Sequence, residues 1–324
     1  MHIPDGFLDA KTIIATGALS TAGLGTALRQ AGKRLQARRI PLIGLTAAFI
    51  FVAQMINFPV AGGTSGHLIG ATLAAVLLGP SAAVIVMSSV LIVQAFLFAD
   101  GGVLALGANI FNMALVAPSC GYGVYRLLRL VLRDERGQLI AVTVASWCAT
   151  VIAAVFCAGE LAWSGTAEWG TVFPAMAGIH MLIGVGEAAI TMLVMAAIAG
   201  TRPELLHDSD RPKIQEGLTP AFIYAAIITV GLVILVAPHT SALPDGLEKV
   251  AESLGFDHRA LASPIVPSPL KDYQLPGLSS TSGGVMAAGL IGGIIVFGLS
   301  FLLARVLRPR SKDAARRQPS VRQR

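Results

Sequence analysis

Charge is scarce in this chain. Only 13% of its 324 residues are Asp, Glu, Lys or Arg, where an ordinary soluble domain carries about 25%. Aromatic residues make up 6%, and the three cysteines, Cys120, Cys148 and Cys157, all lie inside apolar runs without CxxC spacing. They read as small buried hydrophobes and not as a thiolate metal site. No GxxxxGK[ST] phosphate loop is present, so the chain is not its own ATPase by that chemistry. No Ser-His-Asp or Cys-His constellation speaks for an enzyme. The net charge of +6 does not point to nucleic acid either, because topology explains where the basic residues fall.

Hydrophobic residues fill the space that charge leaves, at 54% of the chain. They gather into near-continuous runs, and about 20 helical residues cross a hydrocarbon core of about 30 Å. Backbone groups in lipid must be bonded internally, so unalternating runs of this kind read as helices and not as barrel strands. Nine candidate spans follow, at 8–28, 40–57, 67–80, 81–98, 102–125, 138–160, 173–200, 218–237 and 282–304. The third is short enough to be re-entrant. Glycines are abundant, and Gly17, Gly23, Gly25, Gly289, Gly292 and Gly293 are candidate helix contact faces.

Twenty of the 24 basic residues follow the first, fifth, seventh and ninth spans, among them Arg29, Arg126, Arg211 and Arg305. Cytoplasmic loops collect Lys and Arg, so the N-terminus is expected outside and the C-terminus in the cytoplasm. A cleaved signal peptide is the competing reading of the first span. It needs a basic stretch ahead of the apolar core, whereas residues 1–10 hold Asp5 and Asp9 and no Lys or Arg.

An external N-terminus makes its first residues chemically interesting. They read Met1-His2-Ile3-Pro4. Bulky His2 should block removal of the initiator methionine and leave a free amine. That amine, the amide nitrogen of His2 and its imidazole Nδ1 can close fused chelate rings around one ion. Planar nitrogen donors select Ni(II) or Cu(II) among divalent ions, and their deprotonation makes binding weaken at low pH. Pro4 lies beyond the chelated amide. His67, after the glycine-rich stretch 62–66, is expected on the same side and is the candidate fourth donor. Alone it would read as a structural histidine at a helix end. Asn57, Thr64 and Ser65 are near it in sequence and are candidates to orient it.

Other polar residues fall within the spans. His180 and Glu187, seven apart, share a helix face, either as a proton or metal relay or as a buried network that orders the bundle. Asn109 and Asn112 also face one way, for packing or for support of the metal site. Asp245, Glu248, Glu252 and Asp257 in the external segment 238–281 read as a solvated acidic face, with cation attraction as the alternative. His239 and His258 are candidate metal scavengers there.

MHIPDGFLD, NFPVAGGTSGHLIGATLAAVLLGP and DGGVLALGANIFNMALVAP resemble the nickel/cobalt M-type substrate-binding component of energy-coupling-factor importers. LPDGLEKVAESLGF and SPLKDYQLPGL resemble the PDGLE-type N domain fused behind some members. The resemblance implies an all-α integral membrane protein with a seven-helix bundle at 1–200, a cytoplasmic linker at 201–217 and a two-helix domain at 218–324. It implies a metal site of Met1, His2 and His67. It further implies capture of Ni(II) or Co(II) as cargo with no cofactor, and multi-pass residence in the inner membrane. Partners would be a transmembrane coupling subunit and cytoplasmic ATPases. The PDGLE-type loop is expected to help load or release the ion. The rival is a self-sufficient transporter that couples metal to protons through Glu187 and His180.

Overall fold

The computed structural model describes residues 1–201, 219–278 and 281–308. Apart from Thr201, the expected linker at 201–217 lies outside these residues, as does the basic tail from 309 onward. The described chain is mostly helical, with one small hairpin and connecting loops. Five helices are long and apolar enough to cross a bilayer: Pro80–Phe98, Glu135–Trp163, Trp169–Thr201, Phe222–His239 and Ser282–Leu307. Their outward residues are large and apolar, including Val185, Leu193, Leu235 and Val306. In lipid that exposure is solvation and not a defect. Trp163 and Trp169 are half-exposed at the turn between the second and third of these helices, where interfacial tryptophans gather.

The remaining expected spans take other forms. Helix α1 (Ala10–Arg34) starts at Asp9, whose carboxylate accepts from Thr12 N, and it is long but less apolar. Helix α2 (Ile40–Gln54) has 15 residues. The expected third span at 67–80 contains only α3 (Ala71–Leu78), eight residues that end where Gly79 takes φ +87°. At 1.5 Å per residue it is about 12 Å long, too short to cross alone. Gly79 hands the chain to α4 (Pro80–Val93), which widens into a π-helical turn at Gln94–Phe98. The expected fifth span is α5 (Leu106–Asn109), a π-helical stretch at Ile110–Val116 and α6 (Ala117–Arg129). The first of these π segments ends at Phe98, which lines the site described below, a common place for such turns.

Helices α7 (Glu135–Trp163) and α8 (Trp169–Thr201) form a long antiparallel hairpin. Later in the chain come α9 (Thr219–Gly231), α10 (Gly246–Leu254) and α11 (Thr281–Leu307). Helix α11 packs along α2 through small residues. A Cβ at Gly292 would stand 2.2 Å from Phe51 Cζ and 2.6 Å from Phe98 Cζ, and one at Gly289 would meet Met55 and Val233 at 3.0 Å. Gly23 is pressed against Leu115 in the same way. The expected contact role fails at Gly25, where nothing lies within 4 Å, and Gly293 makes only ordinary contact with Val52.

At one end of the bundle the N-terminus, hairpin β1 (Phe58–Val60) to β2 (Thr64–Gly66), the loop at 99–105 and the segment 240–275 come together. Gly292→Ala should destabilise the protein by about 1–3 kcal/mol through overpacking, whereas Gly25→Ala should leave it unchanged or slightly more stable. Thermal unfolding in detergent measures both, and equal shifts would refute the contact assignment.

Candidate metal-capture site

The first five residues are threaded into the protein and held by their backbone. Ile3 N donates to Asn109 Oδ1 at 2.8 Å and Asn109 Nδ2 returns a bond to Ile3 O at 3.1 Å. Gly102 N also donates to Ile3 O, at 2.8 Å. Asp5 then accepts from the amides of Val103, Leu104 and Ala105, which puts a carboxylate at the start of α5, where helix N–H groups lack partners. Close approach makes Gly102 necessary: a Cβ there would lie 2.1 Å from Asp5 Oδ1.

This threading delivers Met1 and His2 to His67. The Met1 amine is 3.1 Å from His67 Nε2, and the rings of His2 and His67 stack at 5.2 Å with planes 13° apart. His67 Nδ1 faces Leu68 O at 3.1 Å, so the ring proton sits there and the Nε2 lone pair points to the amine. Burial, reinforced by the ammonium beside it, pushes the His67 pKa down to about 3. The ring is therefore neutral and available as a ligand across the ordinary pH range. Two nitrogens set at right angles about a divalent ion at about 2.0–2.1 Å lie about 2.9 Å apart. The Met1–His67 separation is already close to that. Among the described residues no three His, Cys, Asp or Glu side chains gather to hold a metal, so a site here draws on the terminal amine.

Two carboxylates occupy the donors. Asp245 Oδ2 is 2.6 Å from the Met1 amine, and Asp100 Oδ1 is 2.9 Å from His2 Nδ1. Burial depresses the amine pKa, but Asp245 outweighs it and holds the group above 8.0. Burial likewise works against ionised Asp245 and Asp100, and the amine and His2 respectively keep both below the usual carboxylate range. His2 Nδ1 thus faces Asp100 here, and Nε2 of the same ring is buried without a partner. The fused chelate expected from the sequence would need His2 Nδ1 to leave Asp100.

Asn57, Thr64 and Ser65 do not hydrogen-bond to His67; they hold segment 240–245. Ser65 N and Thr64 Oγ1 donate to Pro244 O at 2.8 and 3.0 Å, Ser65 Oγ donates to Leu243 O at 2.7 Å, and Asn57 N donates to Thr240 Oγ1 at 2.6 Å. His180 and Glu187 have separate partners. Glu187 accepts from Ile69 N at 2.5 Å and Gly70 N at 3.0 Å, bracing the turn behind His67. His180 Nδ1 faces Met176 O at 2.8 Å, and its ring packs beneath Gly246. Asn112 is separated from Asn109 in role: it donates to Glu160 at 2.7 Å. His239 and His258 are exposed.

Asp100, Asp245 and Tyr273 were absent from the residues proposed for the site. Asp245 caps α10 through Oδ1, which accepts from Glu248 N at 2.8 Å, while Oδ2 takes the amine. Its place in a Pro-Asp-Gly turn was the available signal, and it is no part of a merely solvated acidic face. A cavity of about 360 Å³ at the site is lined by His2, Gln54, His67, Asp245, Glu248 and Tyr273 among others.

Comparison with known proteins identifies the family of the chain. Residues 2–205 match the family model described as the cobalt uptake substrate-specific transmembrane region, and residues 219–309 match the PDGLE domain. The NikMN relative of Archaeoglobus fulgidus is 38% identical over 311 residues, covering 95% of this chain and 99% of that protein. The fused nickel transport protein NikMN of Rhodobacter capsulatus is 36% identical over 231 residues, 67% of each chain. A crystal structure of a truncated transition metal transporter superposes with a TM-score of 0.56 at 38% identity, covering 62% of this chain and 99% of that one.

The amine–Asp245 pair makes stability depend on pH. An amine whose folded pKa is raised contributes fully below its ordinary value and stops contributing as pH rises through the folded one. The metal-free protein should therefore lose about 1–3 kcal/mol in alkaline solution above pH 8.0. Asp245→Asn should flatten that loss in a thermal denaturation series, and an unchanged alkaline slope would remove the pair from the account.

Proposed function

The chain belongs to the family of cobalt uptake substrate-specific transmembrane proteins (CbiM), and from that premise we propose that it is the capture component of an ATP-driven nickel importer. It is a multi-pass membrane protein and a nickel/cobalt transport component that carries a PDGLE domain. The observation that carries the finer reading is the buried Met1 amine set 3.1 Å from the neutral Nε2 of His67, with the His2 ring stacked beside it.

Capture proceeds by replacing protons and carboxylates with the ion. Met1 supplies its amine, His2 its amide nitrogen and Nδ1, and His67 its Nε2. Four nitrogens in a plane favour Ni(II) over Co(II), both by geometry and by the order of divalent affinities. Oxygen-seeking Mg(II) and Ca(II) are poorly served by such a set. The ion is cargo, and the chain needs no cofactor. The site opens on the outer face of the inner membrane, with nine spans and a cytoplasmic C-terminus. A transmembrane coupling subunit and cytoplasmic ATPases drive inward release.

Metal titration of two C-terminally tagged forms tests the reading. The form with native Met1 should bind one Ni(II), and more weakly Co(II), while a form extended by a few residues before Met1 should bind neither tightly. Equal binding by both would exclude the amine chelate. In the native form, His67→Ala should weaken binding at least tenfold, and affinity should fall as pH drops because binding releases protons.

A further inference from the structure

The pocket contains a four-residue hydrogen-bond chain with a definite direction. Gln94 Nε2 donates to Tyr273 Oη at 3.1 Å, Tyr273 Oη donates to Asp100 Oδ2 at 2.5 Å, and Asp100 Oδ1 receives His2 Nδ1 at 2.9 Å. Three of these residues come from the CbiM part and Tyr273 from the PDGLE part. Its placement is specified with some force. Asp272 and Tyr273 both adopt left-handed backbone, φ 54° and 56°, without being glycine, a conformation that costs of order 1–3 kcal/mol per residue. The phenol ring stacks on Phe98 at 4.7 Å, so the turn aims a rigid hydroxyl at Asp100.

An imidazole nitrogen has one in-plane position. Nδ1 of His2 can present a proton to Asp100 or a lone pair to an ion, and not both. The geometry points to Asp100 as a positioning residue that competes with the captured ion for His2, and to Tyr273 as the group that stabilises Asp100 once His2 has left. This inference rests on the capture reading above, in which Nδ1 is a ligand. Through Tyr273 the PDGLE part then acts on metal affinity from the far side of a carboxylate, and that hydroxyl does not touch the ion. Loading moves His2 off Asp100, and the Tyr273 hydroxyl keeps that carboxylate from standing unpartnered in a buried pocket, where an unsatisfied charged group is costly.

The two substitutions therefore have opposite signs. Asp100→Asn keeps an acceptor but removes the charge that strengthens its hold on His2, and Ni(II) affinity should rise about tenfold. Tyr273→Phe retains the ring stack and removes the hydroxyl, and affinity should fall about tenfold. In the double variant the Tyr273 effect should vanish, since the charge it serves is gone. Calorimetric Ni(II) titration of the full chain with native Met1 reads all four forms, with a thermal unfolding scan of each metal-free form to establish folding.

A fall in affinity for folded Asp100→Asn would overturn the proposal, because Asp100 would then be orienting a ligand and not competing with the ion. So would a Tyr273 effect of the same size with and without Asp100. Absence of Ni(II) binding by the unsubstituted chain would instead overturn the capture reading beneath it, and that outcome is visible before any variant is compared.

Discussion

The arrangement depends on burying a charged amine. The Met1 amine is enclosed at the end of a membrane bundle, where an isolated ammonium would be expensive. One half-buried carboxylate and one imidazole lone pair make it tolerable, and both come from segments remote in sequence. Everything upstream of α1 serves this placement. Asn109 and Gly102 grip Ile3, Asp5 seats on the start of α5, and Thr166 donates its hydroxyl to Phe7 O. An extended peptide tethered at so many points has lost its conformational freedom before any ion arrives, so the ordering cost is met by folding and not by binding.

The membrane helices provide the rigidity behind that peptide. Where α11 meets α2, Gly292 admits Phe51 and Phe98, and Phe98 in turn carries the Tyr273 ring. A close helix crossing thus connects through two aromatic rings to the carboxylate beside His2. On the opposite side, Glu187 reaches out of α8 to brace the backbone after His67. Its carboxylate is engaged by two amides in this role, and a proton relay with His180 has no direct contact to rest on. The CbiM and PDGLE parts are therefore not independent modules laid side by side. The second contributes a partner to the Met1 amine and, through Asp100, to His2.

The proposed donors at the N-terminus could be named from sequence because their chemistry is local. A histidine in second place beside a free amine forms a chelate from two consecutive residues, whatever the rest of the chain does. Long apolar helices were legible for a similar reason, since lipid imposes a requirement on every residue of a crossing segment. Short and broken elements were less so. The stretch 67–80 is largely apolar, yet only the eight residues of α3 are helical, ended by Gly79 and preceded by backbone that Glu187 holds. Asn109 and Asn112 share a spacing that places them on one helix face, but the π-helical turn from Ile110 and the threading of Ile3 give them unrelated partners.

Composition and the long apolar runs determined by themselves that this is a helical membrane protein, and the first two residues by themselves put an amine, an amide and an imidazole within a few bonds of one another. Each of those inferences uses solvation or bond geometry acting within a few residues. Tertiary structure alone decided which carboxylates stand on the donors. Asp100 and Asp245 lie roughly a hundred and two hundred and fifty residues from the atoms they contact. An Asp-Gly pair in the sequence reads as a turn, because the electrostatic partner that gives it a second role is supplied by the folding of distant helices.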